Sequence, residues 1–216
     1  MKKKKISCIK IAVLGDSPTG KTSICGSFMG LDFRQETLAT IGTDNLETRS
    51  TLKNGEEIKL YLLDTAGQER FRSMSLKTTR SAQGVVLVFD LTNRKSFENI
   101  NVWLEQIKEN LDNPCIVLFG NKNDRPKEEW RVTIEEAEEF AKKINLKFFE
   151  TSAKTKFGIN EGLSYIANET YDKIKKMIDN TSNYFQLNGI RNDNEYEYVN
   201  GCFGKKKRRK KKNKAK

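Results

Sequence analysis

Residues Gly15 to Thr22 read G-D-S-P-T-G-K-T, and this stretch decides the fold. It fits G-x-x-x-x-G-K-[ST], a loop whose backbone N–H groups converge on phosphate oxygens. Gly15 and Gly20 permit the sharp turn and the close approach to a ligand. The helix that follows adds its positive N-terminal end. Lys21 brings a cation to the outer phosphates, and the Thr22 hydroxyl is suited to ligate Mg2+. Asp16, Ser17, Pro18, Thr19 and Ser23 complete the loop and its exit. The flanks agree. Ile9 to Leu14 is a short apolar run that predicts a buried strand, and Ser23 to Met29 continues as a helix.

Outward from this loop, apolar runs alternate with amphipathic segments. Ile58–Leu63, Val85–Phe89, Cys115–Phe119 and Lys147–Glu150 read as strands. Ser96 to Leu111 has helical spacing through Phe97, Ile100, Leu104, Ile107 and Leu111. Thr133 to Ile144 is a second helix, with Thr133 as N-cap and Glu136 three residues on. Ile159 to Ile178 is a third. Continuous apolar strands imply a mostly parallel sheet covered on both faces, an α/β architecture. Glu47–Leu52 and Glu57–Leu63, joined across Lys53-Asn54-Gly55-Glu56, read as a hairpin at one edge. The predicted organisation is a basic N-terminal extension over 1–5, a folded domain over 6–179, and a disordered tail over 180–216 with a polybasic end.

The formal charge of +11 is confined to the ends. Four positives lie in Lys2–Lys5 and ten in Lys205–Lys216, which leaves the intervening residues at about −3. A mildly acidic body is a poor nucleic-acid surface, so no DNA partner is expected for the folded domain. Cys8, Cys25, Cys115 and Cys202 show no paired spacing and read as reduced cytosolic thiols. The chain contains no histidine, so histidine general-base and histidine–metal chemistry are excluded. Catalysis by positioning and charge remains.

Three further signals follow the strands in order. In Asp64-Thr65-Ala66-Gly67-Gln68, the Asp suits Mg2+ held through water. The Gly offers a backbone N–H to a terminal phosphate, and the Gln orients an attacking water. In Asn121-Lys122-Asn123-Asp124, the carboxylate accepts from N1–H and the exocyclic amine of guanine. Adenine lacks both donors and would leave that carboxylate unpaired. In Thr151-Ser152-Ala153-Lys154, a backbone N–H meets the guanine carbonyl oxygen. All three stand at the carboxyl edge of the predicted sheet, where α/β folds bind ligands.

On these residues the chain resembles the small Ras-like GTPases, and within them the Rab family, over about residues 8 to 178. The resemblance implies a three-layer P-loop NTPase fold. Its six-stranded sheet would be mostly parallel, with one antiparallel edge strand and helices on both faces. It implies GTP, GDP and Mg2+ as ligands and slow hydrolysis of GTP to GDP. Gln68, Lys21 and Thr40 would act in that reaction, and Thr22, Thr40 and Asp64 would surround the metal. Gly15–Ser23, Phe33, Thr40, Asp64, Gly67, Asn121, Lys122, Asp124, Ser152, Ala153 and Lys154 would surround the nucleotide. Phe33 falls where the family sets an aromatic against the guanine ring; the alternative is a core phenylalanine. Thr40, in Thr40-Ile41-Gly42, would reach Mg2+ in the GTP state. Order would change over Phe33–Thr40 and Gly67–Arg80. Partners would be an exchange factor, a GTPase-activating protein that supplies an arginine, and effectors. A cytoplasmic location at the cytosolic face of an internal membrane is implied, together with a part in vesicle traffic. Gln68–Ser73 and Leu87–Thr92 are similar to Rab rather than Ras or Rho signatures.

The chain also departs from the pattern. Pro18 stands where the family has Gly, Ala or Ser, and proline carries no N–H for the phosphates. The Phe, Trp and Tyr of the family's interswitch surface are Asn45, Leu63 and Thr78, which alters the face that effectors read. The chain ends without prenylation cysteines, since its last is Cys202, and it has no C-a-a-X box. Lys205–Lys212 is suited to anionic lipid, with Cys202 as a site for a second, acyl signal. The same run also suits a nuclear address, RNA or plain solvent. An alternative function is a hydrolysis-impaired scaffold with a nuclear or RNA-directed tail.

Overall fold

The computed structural model describes residues 6–33, 43–65, 79–187, 196–199 and 202–205. Six strands form one sheet in the order β2-β3-β1-β4-β5-β6. Their ranges are β1 Cys8–Leu14, β2 Thr43–Thr51, β3 Glu57–Thr65, β4 Gly84–Asp90, β5 Cys115–Asn121 and β6 Lys147–Glu150. β1 runs parallel to both β3 and β4, and β4, β5 and β6 are parallel in turn. β2 alone is antiparallel, paired to β3 with Asn45 opposite Leu63. The expected mostly parallel sheet with one antiparallel edge is the observed one.

Successive side chains on a strand point to opposite faces, so each apolar strand must supply two cores. In β1, Ile9, Ile11 and Val13 join one cluster while Ala12 and Leu14 join the other. In β4, Val86 and Val88 go one way and Val85, Leu87 and Phe89 the other. The first cluster is closed by α1 (Lys21–Phe28) and by α5 (Ile159–Leu187), through Ile24, Leu163, Ile166 and Ile174. The second is closed by α2 (Arg94–Glu98), α3 (Ile100–Asn110) and α4 (Ile134–Lys143). Phe97, Ile100, Trp103, Leu104 and Ala137 are its main helical members. These are the helical layers that sandwich the sheet.

α4 starts as its sequence predicts. The Thr133 side chain accepts from the Glu136 N–H at 3.2 Å, which satisfies one orphan donor of the first turn. The helix expected over Ser96–Leu111 is two. Asn93 caps α2 by accepting from the Ser96 N–H, and Asn99 intervenes before α3. Apolar spacing runs across this break because both pieces pack on the same cluster, so periodicity alone does not reveal it.

Beyond residue 179 the expectation of no regular structure needs correction. α5 runs on to Leu187, and a separate two-stranded sheet pairs β7 (Tyr196–Val199) with β8 (Cys202–Lys205). Asn200-Gly201 between these strands is a strong two-residue hairpin signal, masked in the sequence by the polar composition around it. Among the described residues, no helix is long and apolar enough to cross a membrane.

Candidate functional site

β1 delivers the chain into the Gly15–Gly20 loop, and α1 begins at Lys21. Gly15 has φ +142°, and a Cβ there would lie 2.1 Å from the Val88 carbonyl oxygen of β4. Gly20 has φ +91°, and its Cβ would meet Asn121 Nδ2 at 2.5 Å. Both positions therefore demand glycine for conformation and for space.

The Asp16 carbonyl is the hub of the loop. It accepts from Lys21 Nζ at 3.0 Å, Thr19 Oγ1 at 2.9 Å and the Thr19 N–H at 3.2 Å. Ser17 and Pro18 are exposed at the tip. Lys21 is only 6% exposed. Burial lowers its pKa to about 8, against the raising influence of Asp64 and Asp16. A buried ammonium held at such a cost is strongly stabilised by an incoming polyanion. The loop thus fits phosphate through its chemistry as well as its shape.

The ends of the other strands converge on it. Asn121, 1% exposed at the end of β5, donates from Nδ2 to the Thr19 carbonyl at 2.8 Å. Its Oδ1 accepts from the Ala153 N–H at 3.1 Å. One amide side chain therefore ties the phosphate loop to the turn after β6. Ser152 Oγ donates to Asp124 Oδ1 at 2.6 Å and accepts the N–H groups of Lys154 and Thr155. That bond fixes the Asp124 carboxylate, leaving Oδ2 for a ligand. Lys122, at φ +71°, makes a 2.6 Å ion pair with Asp90, whose other oxygen is held by Thr92.

Asp64 is the penultimate residue of β3, where it is 1% exposed and stands beside Val13 of β1. Thr22 is exposed on the first turn of α1, and Ser23 is half-buried. These are hard oxygen donors. Among the described residues, no cluster of three or more Asp, Glu or Cys side chains could hold a metal unaided. Mg2+ asks for one or two protein oxygens together with substrate phosphates, so Thr22 and Asp64 suit it. Phe33 is 41% exposed and belongs to neither core, which removes the core alternative. Thr40, Gly67 and Gln68 lie outside the described residues.

Two supports were not read from the sequence. Asn99 and Trp103 hold the Asp16 side chain, and Asp90 holds Lys122. Trp103 carried a signal, since a buried indole N–H needs an acceptor.

The Ras family model matches residues 10–172. Rab-27A of Rattus norvegicus is 37% identical over 182 residues, covering 79% of this chain and 82% of its own. The chain belongs to the Rab family of Ras-type small GTPases. Rab-13 of Rattus norvegicus is 40% identical over 161 residues, covering 74% and 78%. RABA4b of Arabidopsis thaliana is 36% identical over 168 residues, covering 77% and 74%. As a Rab-family GTPase the protein binds GTP or GDP with Mg2+ and hydrolyses GTP to GDP. It works as a switch with exchange factors, activating proteins and effectors.

Proposed function

We propose that this Rab-family switch regulates vesicle-mediated membrane traffic at the cytosolic face of an internal membrane. The traffic part of the reading rests on the likeness to Rab-27A and Rab-13, and the switch part on Asn121, which joins Thr19 of the phosphate loop to Ala153 of the base-recognition turn. That bridge makes one guanine-nucleotide site from separate strand ends. Asp124, Ser152, Ala153 and Lys154 recognise the base, while Phe33 lies against it. Gly15–Ser23 surround the phosphates. Thr22, Asp64 and Thr40 supply oxygens to the metal, and Gln68 with Gly67 orients the attacking water. Unassisted hydrolysis is slow, because an activating protein supplies the arginine that stabilises transition-state charge.

Lys205–Lys212 attaches the switch to anionic lipid, at about 1 kcal/mol per basic residue near the surface. The test is the placement of a fluorescent fusion with and without residues 205–216. Loss of the internal-membrane pattern on truncation is expected. Unchanged placement removes the tail from the membrane reading, and nuclear placement of the intact fusion defeats it.

Pro18 tunes the reaction. It removes one N–H from the loop tip without altering the ties at Asp16 and Asn121. Single-turnover hydrolysis by Pro18→Gly is expected to differ several-fold from wild type, with GDP retention preserved. Equal rates would dispose of this role.

A further inference from the structure

We propose that Asn99 and Trp103 form a clamp that keeps the Asp16 carboxylate off the phosphate path, and that this clamp sets how long nucleotide stays bound. The inference rests on Gly15–Thr22 being the phosphate loop. An acidic side chain at its second residue is a hazard, since it repels the polyphosphate and competes for Lys21. The structure places one carboxylate oxygen on the N-cap residue of α3 and the other on a residue within the helix. Asn99 Nδ2 donates to Oδ2 at 2.5 Å, and Trp103 Nε1 donates to Oδ1 at 2.9 Å. The two donors are one helical turn apart, Asn99 at the N-cap and Trp103 fully buried among the core residues. The indole has a single N–H, so a rigid, packed ring aims it in one direction.

Asp16 thereby faces two ways. Its carbonyl gathers Lys21 and Thr19 inward, while its carboxylate is pinned to the helix. The exposed tip at Ser17 and Pro18 hangs between this tie and the one from Asn121 to Thr19. Once the clamp opens, the carboxylate turns to Lys21, the cation its own carbonyl already holds nearby. The fraction of loops competent for phosphate falls, and apparent affinity falls with it.

The experiment uses the full chain loaded with labelled GDP and Mg2+, chased with unlabelled GDP. Trp103→Phe keeps the ring and removes the N–H, and Asn99→Ala removes the other donor. Each is expected to release GDP about tenfold faster, and the pair faster still. Adding Asp16→Ala to the pair restores slow release, because no carboxylate remains to compete. A merely structural role gives the opposite sign, with Asp16→Ala adding to the damage. Unchanged release from the clamp variants overturns the proposal, as does a triple variant no slower than the double. If circular dichroism shows Trp103→Phe unfolded, Asn99→Ala with and without Asp16→Ala decides at a half-buried position. If wild type itself fails to retain GDP, the phosphate-loop reading falls first and takes the clamp with it.

Discussion

Asp124→Ala is expected to weaken guanine-nucleotide retention by roughly 10²- to 10⁴-fold, since two hydrogen bonds to a charged acceptor are lost at about 1.5–3 kcal/mol each. The carboxylate is positioned by its neighbour and not by its own loop alone, because Ser152 Oγ donates to Oδ1 at 2.6 Å. That bond fixes Oδ1, and in the proposed reading Oδ2 is the oxygen that meets the N1–H and amine of guanine. Truncation removes the acceptor for the base and for Ser152 together. On the proposed reading selectivity falls as well as affinity, because adenine would leave this carboxylate unpaired. Release of a fluorescent GDP analogue and its competition by ATP measure both effects. Retention equal to wild type, or ATP still excluded as strongly, would sink guanine recognition through Asp124.

Much of this architecture was legible because the strands are apolar on both faces. Ile9–Leu14 and Val85–Phe89 can be satisfied only by helices on either side, and that is where α1 and α5, and α2 to α4, lie. Gly15 and Gly20 were legible as a tight turn, although the atoms they make room for are the Val88 carbonyl and the Asn121 amide. Asn121 itself was legible only as part of a spaced tetrapeptide. Its work as a bridge from Thr19 to Ala153 depends on β1, β4, β5 and β6 lying in that order in one parallel set, a long-range fact that no local pattern encodes.

What escaped the sequence escaped for related reasons. The break at Asn99 leaves helical periodicity intact, so a 3.6-residue pattern passes over it. Its use appears only once Asp16, 83 residues away, is seen against it. The extension of α5 to Leu187 lies past the last aliphatic residue of the stripe, Ile178. The β7–β8 pair was hidden by an Asn- and Asp-rich neighbourhood, because composition averages over a local Asn-Gly sequence signal.

Lys21 supplies the second large effect, a pH dependence of nucleotide binding. In the ligand-free protein burial lowers its pKa from 10.5 to about 8. The unfolded chain therefore binds more protons than the folded one between those values. Stability of the empty protein rises with pH across that window, and below pH 8 the burial penalty is present in full. Bound phosphate reverses the imbalance. An anion against the ammonium favours its charged form, so the bound-state pKa lies above the free one. Binding then draws in a proton above pH 8, and affinity must fall as pH rises, about fivefold between pH 8 and 9. Guanine N1–H titrates in the same alkaline range, so the affinity profile needs a control that leaves the base untouched. Lys21→Arg provides it, since a guanidinium stays charged throughout. Calorimetry of GDP binding in two buffers of different ionisation enthalpy reads the proton directly. Wild type should take up most of one proton at pH 9 beyond what Lys21→Arg does. Equal uptake by the two proteins would mean that Lys21 is already charged in the empty loop, and that its burial is not what makes the loop avid for phosphate.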